Sequence, residues 1–175
     1  MTVERPVPRV MVAGVTTVRA RAADEATKMA INEVNAGHFT FVRSVVVRGE
    51  PEYIRQLVSH VSNDNEADAI LMIGGVGLGP RDTTCDALDP FFERHVEGFG
   101  DAYRAMLRDE FKVGPAAMLA RASAGIYNRC LVYALPTHPL YLKRAIQTLV
   151  LPTLAEAVEL AAAHGLPSIR PSRPV

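Results

Sequence analysis

Two short segments carry residues whose types and spacing could do chemistry. The first, Gly74-Gly75-Val76-Gly77-Leu78-Gly79-Pro80-Arg81-Asp82-Thr83-Thr84, sets four glycines ahead of an arginine, a carboxylate and two hydroxyls. Backbone without side chains can approach a ligand closely and offer its N–H groups, and a helix start adds partial positive charge, so a phosphate would be well received here. Arg81 could neutralise phosphate charge and Asp82 could hold Mg²⁺. The pattern is not a P-loop, because no Gly-Lys-Ser/Thr follows, and Pro80 stands where the Gly-x-Gly-x-x-Gly of dinucleotide binders needs its third glycine. A tight turn with Asp82 as a helix cap accounts for the same residues. The second segment, Leu135-Pro136-Thr137-His138-Pro139, fixes its backbone with two prolines and offers Thr137 and His138 as polar groups. His138 covering the following helix is the alternative to a part in chemistry.

Both segments follow short apolar runs. Val10–Val15, Phe39–Val47, Ala69–Ile73 and Cys130–Leu135 read as strands, being short, apolar or β-branched, and bounded by polar or glycine breaks. Between them lie helical patterns. Ala26, Met29, Ala30 and Val34 share one face of a helix over 22–35 that Gly37 would end as a C′ residue. Pro51 opens a second helix carrying Ile54, Leu57, Val58 and Val61 on one side. A third helix is expected from the glycine loop through Ala87, Leu88, Phe91 and Phe92. A fourth is expected over 102–110, then a short segment opened by Pro115, and a last helix over 141–164 with Pro152 breaking or kinking it. Strands alternating with helices predict a three-layer α/β/α domain on a mostly parallel sheet, in which ligands collect at the carboxyl ends of the strands. That domain is expected over residues 9–164, between an N-terminal tail (1–8) and a flexible, proline-rich C-terminal tail (165–175).

Composition narrows the function classes. The chain has 175 residues, 49% of them apolar and 22% charged, which is globular and long enough for one substantial core. Nineteen basic residues balance nineteen acidic ones, so no overall charge favours nucleic acid or an anionic membrane. No run of eighteen uninterrupted apolar residues is present, and residues 1–6 lack the apolar core of a secretory signal. Cys85 and Cys130 are the only cysteines, which excludes a disulfide framework and an all-cysteine zinc site and fits a cytoplasmic location.

The two loops, in this order and separation, resemble the molybdopterin-binding family, which includes the molybdopterin adenylyltransferases. The family hallmark of Gly-Gly-Thr-Gly followed by Arg-Asp-x-Thr is matched by Gly74–Gly77 and Arg81–Thr84. A Pro-Gly-Phe-Gly-like turn is matched by Glu97-Gly98-Phe99-Gly100, and a Ser-Arg-Ala-x-Ala-Gly-like segment by Ala120-Arg121-Ala122-Ser123-Ala124-Gly125. The closing Leu-Pro-Gly-Ser/Asn-Pro is matched in part by Leu135-Pro136-Thr137-His138-Pro139. The resemblance spans roughly residues 9–160. It implies binding of molybdopterin, a pterin with a dithiolene and a terminal phosphate, and transfer of AMP from Mg²⁺-ATP to that phosphate in molybdenum cofactor biosynthesis. It also implies a homo-trimer or hexamer, which would cover the Phe91–Phe92 region or the last helix. Gly74, Gly75, Val76, Gly77, Gly79, Arg81, Thr83, Thr84, Pro136, Thr137 and His138 are then the expected ligand and phosphate contacts.

The chain departs from the family at the site itself. Val18 stands where the family has an acid after the first strand, Val76 where it has a threonine, and Thr137-His138 where it has Gly-Ser. Aligned on Pro51, Arg48-Gly49-Glu50 falls at the acidic segment, so the catalytic aspartate position is Gly49. Asp82 is left as the metal-binding and catalytic carboxylate, with Glu50 the only nearby substitute. Three readings follow: an adenylyltransferase using Asp82 and Glu50, a molybdopterin-binding protein with a degenerate catalytic site, and a non-catalytic oligomeric relative that binds another phosphorylated ligand or none.

Overall fold

The computed structural model describes residues 7–16 and 20–163. Strand β1 (Arg9–Thr16) leads into helix α1 (Ala20–Ala36), β2 (Thr40–Arg48) into α2 (Pro51–Asn63), and β3 (Ala69–Ile73) through the glycine loop into a short α3 (Thr84–Leu88). Strand β4 (Arg94–His95), helix α4 (Glu97–Asp109), and strands β5 (Ser123–Tyr127) and β6 (Cys130–Leu135) follow. The last helical run comprises α5 (Pro139–Ala145), a π turn (Ile146–Val150) and α6 (Leu151–Ala163). The sheet order is β2-β1-β3-β6-β5-β4; the first four strands are parallel, and β5 and β4 pair antiparallel at one edge.

Side chains alternate across a strand, so a sheet covered on both faces needs strands apolar at every position. Val10, Val12, Leu71, Ile73 and Leu131 face one core, shared with Ala30 and Val34 of α1, Met106 of α4 and Leu142 of α5. Met11, Ala13, Ile70, Met72 and Val132 face a second, shared with Ile54 and Val58 of α2 and Leu88 of α3. The three-layer, mostly parallel architecture read from the sequence is the one observed. The chain reverses direction across the sheet between β1 and β3, and the glycine loop leaves the carboxyl end of β3 at that switch point.

Several details differ from expectation. The helix after the glycine loop has only five residues before a 3₁₀ turn over Asp89–Phe91. Phe92 is buried in the second core and Phe91 stacks on Tyr127 at 4.2 Å between ring centroids, so this pair does not offer an open apolar face. The residues aligned with the family's glycine turn, Gly98 and Gly100, lie inside α4. Strands β4 and β5 escape sequence patterning because they are short and β5 opens on three small residues, Ser123, Ala124 and Gly125. A side chain at Gly125 would enter the Phe92 ring. Helix α1 ends in a Schellman motif, but His38 takes the left-handed position (φ 60°) in place of Gly37; the His38 N–H donates to Asn35 O (3.2 Å) and the Phe39 N–H to Val34 O (3.3 Å). The expected tails at 1–8 and 165–175, apart from Val7 and Pro8, lie outside the described residues, as do Thr17, Val18 and Arg19.

The last helix begins at Pro139 and continues through Pro152 without a break. A π turn immediately before Pro152 widens the helix where the proline ring would otherwise meet the carbonyl four residues earlier. Pro139–Ala162 is long and apolar enough, by length and composition, to cross a membrane. Lys143, Arg144, Glu156 and Glu159 interrupt it, which is why counting uninterrupted apolar residues does not find it. In the fold its Leu142, Ile146, Val150 and Leu154 are fully buried in the first core.

Burial also sets an alkaline limit. It pushes the Cys85 thiol from 9.0 up to about 11, and the Cys130 thiol up to about 12. A group whose folded pKa is raised contributes stability that is complete below its unfolded value and is lost as pH rises through the folded one. The urea midpoint should therefore hold below pH 9.0 and fall as pH rises toward 11. A midpoint that stays flat over that window would show that the thiols titrate freely in the folded protein.

Candidate functional site

The glycine loop is shaped by bonds to its own ends. Gly74 and Gly75 take positive φ values of 109° and 66°, and the Gly74 N–H donates to Leu135 O at 2.8 Å, joining the loop to the end of β6. Thr84 is fully buried. Its hydroxyl donates to Gly74 O at 2.8 Å and its N–H to Gly75 O at 2.9 Å. A side chain at Gly75 would occupy the space of the Thr84 hydroxyl. Asp82 curls back into the loop instead of capping α3. Its carboxylate accepts the Gly79 N–H at 3.1 Å, its own N–H donates to Gly79 O at 2.9 Å, and a side chain at Gly77 would collide with the carboxylate. The capping position falls on Thr83, whose hydroxyl makes no capping bond and donates to Gly49 O, the loop after β2.

With α3 only five residues long, the helix terminus contributes little to an anion site. The loop amides contribute more. Among the described residues, the N–H groups of Val76, Gly77 and Leu78 have no hydrogen-bond partner, an arrangement suited to an anion.

The loop forms one wall of a cavity of about 620 Å³. Of the residues picked out from the sequence, Gly74, Gly75, Val76, Gly77, Gly79, Arg81 and Asp82 line it from one side of the sequence, and Pro136, Thr137 and His138 from the other. Thr83 and Thr84 lie outside the lining and hold the loop from behind. Glu50 is outside the lining too. Its carboxylate pairs with Arg48 at 2.7 Å, and Arg48 lies over the Tyr53 ring at 4.8 Å. The backbone N–H of Glu50 and the Arg48 guanidinium hold that carboxyl below the usual range. Among the described residues no three His, Cys, Asp or Glu side chains gather to hold a metal.

The cavity adds residues that sequence reasoning did not place there, chiefly Val15, Tyr103, Leu119 and Arg121. Arg121 donates to Gly77 O at 3.2 Å and grips both oxygens of Asp86 at 3.2 and 2.5 Å. That contact holds the Asp86 carboxyl below its ordinary value. The motif Ala120-Arg121-Ala122 was a usable signal for Arg121. Tyr103 had none, since it sits at a core position of α4 and is buried.

Replacing Thr84 by valine keeps its volume and removes the hydroxyl, leaving the Gly74 carbonyl without that donor. The expected loss is about 1–3 kcal/mol in chemical denaturation. Unchanged stability would show that the loop closes without this bond.

Residues 9–156 match the family described as a probable molybdopterin binding domain. The chain is 29% identical over 150 residues to molybdenum cofactor biosynthesis protein B of Bacillus subtilis, covering 86% of this chain and 88% of that one. It is 34% identical over 113 residues to the probable molybdopterin adenylyltransferase of Methanocaldococcus jannaschii, covering 65% of each. A crystal structure of molybdenum cofactor biosynthesis protein B superposes with a TM-score of 0.82 over 91% of this chain and 98% of that one, at 23% identity, a likeness of fold. The glycine loop, the cavity it lines and the match over most of the chain agree: this protein belongs to the molybdopterin-binding-domain family.

Proposed function

We propose that the chain serves molybdenum cofactor biosynthesis by binding molybdopterin in the cavity between the glycine loop and Pro136–His138. The observation that carries this reading is the pairing of unbonded amides at Val76, Gly77 and Leu78 with Arg81, an exposed cation on the cavity wall that makes no ion pair among the described residues. Amides and a guanidinium together suit a terminal phosphate. The cavity volume is that of an ordinary small-molecule site.

The carboxylates do not make a resident magnesium site. Asp82 has one oxygen engaged by the Gly79 N–H, residue 49 has no side chain, and Glu50 is held by Arg48. Magnesium entering on the phosphates of ATP would meet Asp82 as its one protein carboxylate, too little charge to assemble a metal-nucleotide site unaided. The reading is therefore binding without adenylyl transfer. The Thr83 hydroxyl ties Gly49 to the loop bearing Asp82, and the archaeal relative is named a probable adenylyltransferase, so transfer is the second reading. We further propose a cytoplasmic homo-trimer or hexamer, for which Val46 on β2 and Leu140 on α5, both more than half exposed, offer apolar surface to cover.

Calorimetry with purified molybdopterin should show saturable binding that Arg81→Ala weakens about tenfold, the worth of a charge-assisted contact. Absence of binding to the wild-type chain would end the proposal. In the same preparation, incubation with ATP and Mg²⁺ should give no adenylylated molybdopterin, whereas Gly49→Asp should restore product. Product from the unaltered chain would establish the second reading instead.

A further inference from the structure

We infer that His138 is the platform on which the planar pterin ring of the ligand stacks, a step that rests on the proposed molybdopterin binding. His138 lines the same cavity as the glycine loop and is exposed. One face of its imidazole is already covered: it lies against the Tyr141 ring at 3.9 Å between centroids and 16° between planes. Tyr141 in turn meets the Phe111 ring edge-on at 4.8 Å. The three rings run in sequence from the chain just beyond α4 to the cavity lining, and among the described residues no other aromatic ring packs on the last of them.

The backbone holds that ring in place. His138 precedes α5 at φ −65°, its carbonyl accepts the Leu142 N–H at 2.9 Å, and Pro139 follows it. Among the described residues its ring nitrogens make no hydrogen bond, so no polar contact would have to break for a ligand to dock. A side chain already immobilised by Tyr141 loses little further entropy when a second ring stacks on it. Among the described residues the cavity lining contains one other aromatic side chain, Tyr103, and it is 3% exposed. A fused heteroaromatic ring therefore finds one accessible aromatic surface. Where the family resemblance expects Gly-Ser, Thr137-His138 supplies this surface, and the added bulk is a wall for the ring.

The test uses pterin-6-carboxylate, a fluorescent pterin without the dithiolene, with adenosine monophosphate titrated in parallel and purified molybdopterin as the reference ligand. Wild-type protein should quench the pterin saturably. His138→Phe should keep the affinity within about threefold and His138→Ala should weaken it about tenfold, the range of aromatic stacking on a base. His138→Phe should melt with wild type because it keeps the stack on Tyr141, and His138→Ala should stay folded but melt about 2–4 °C lower because it loses that ring contact. Equal pterin binding by His138→Ala overturns the platform while leaving molybdopterin binding intact. Loss of adenosine monophosphate binding with pterin unaffected also overturns it, assigning the ring to the nucleotide. Failure of molybdopterin itself to bind the wild-type chain removes the functional reading, and the platform with it.

Discussion

Thr84 joins the two ends of the glycine loop by donating its hydroxyl to Gly74 and its N–H to Gly75, and the rest of the site hangs on that closure. With the ends joined, the loop leaves its Val76–Leu78 amides unbonded and ties the Asp82 carboxylate to the Gly79 N–H. Arg121 braces it from outside through the Gly77 carbonyl. Thr83, one residue earlier, extends the same anchorage to the loop after β2. A buried hydroxyl can hold a turn of this kind because leaving either partner unbonded in the interior would cost more than the bond itself contributes.

That closure works because the sheet is rigid at the point where it is applied. Strand β3 is buried along its whole length, flanked in parallel by β1 and β6. Val15, Gly74 and Pro136 thus leave three adjacent strands at one edge, and side chains far apart in sequence arrive together in one cavity. The carboxylates show the opposite outcome. Asp82 stays with its loop, while Glu50 stands at the start of α2 and satisfies its charge on Arg48. Where the resemblance expects an acidic segment, Arg48 and Glu50 pair with each other outside the cavity lining.

Much of this was legible in the sequence because the signals were local. Four of the six strands, the α1 and α2 faces and both cavity loops follow from apolar alternation, helical spacing and glycine density. What escaped depended on partners distant in the chain. Strand β5 is recognisable only once Phe92 is seen to need the space above Gly125. Its hairpin to β6 turns through Asn128 (φ 43°) and Arg129 (φ 68°), a pair without the glycine that usually marks such a turn. Asp82 read as a cap because its bond to Gly79 leaves no mark in composition. Tyr103 looked like any core residue of a helix.

The π turn before Pro152 bears on how the last helix is phased. Leu142, Ile146, Val150 and Leu154 recur every four residues, and all four are fully buried. A straight α-helix of 3.6 residues per turn would swing such a row round by about 40° at each step. By the third step it would have left the sheet. The wider turn takes more residues per revolution, so it resets the row to face β6 while also making room for the proline ring. Helical phase and proline tolerance are thus one feature of this chain: the π turn takes up about one extra residue, so a single-residue deletion between Ile146 and Val150 would leave α6 facing the core on a straight helix but remove the room made for the proline ring.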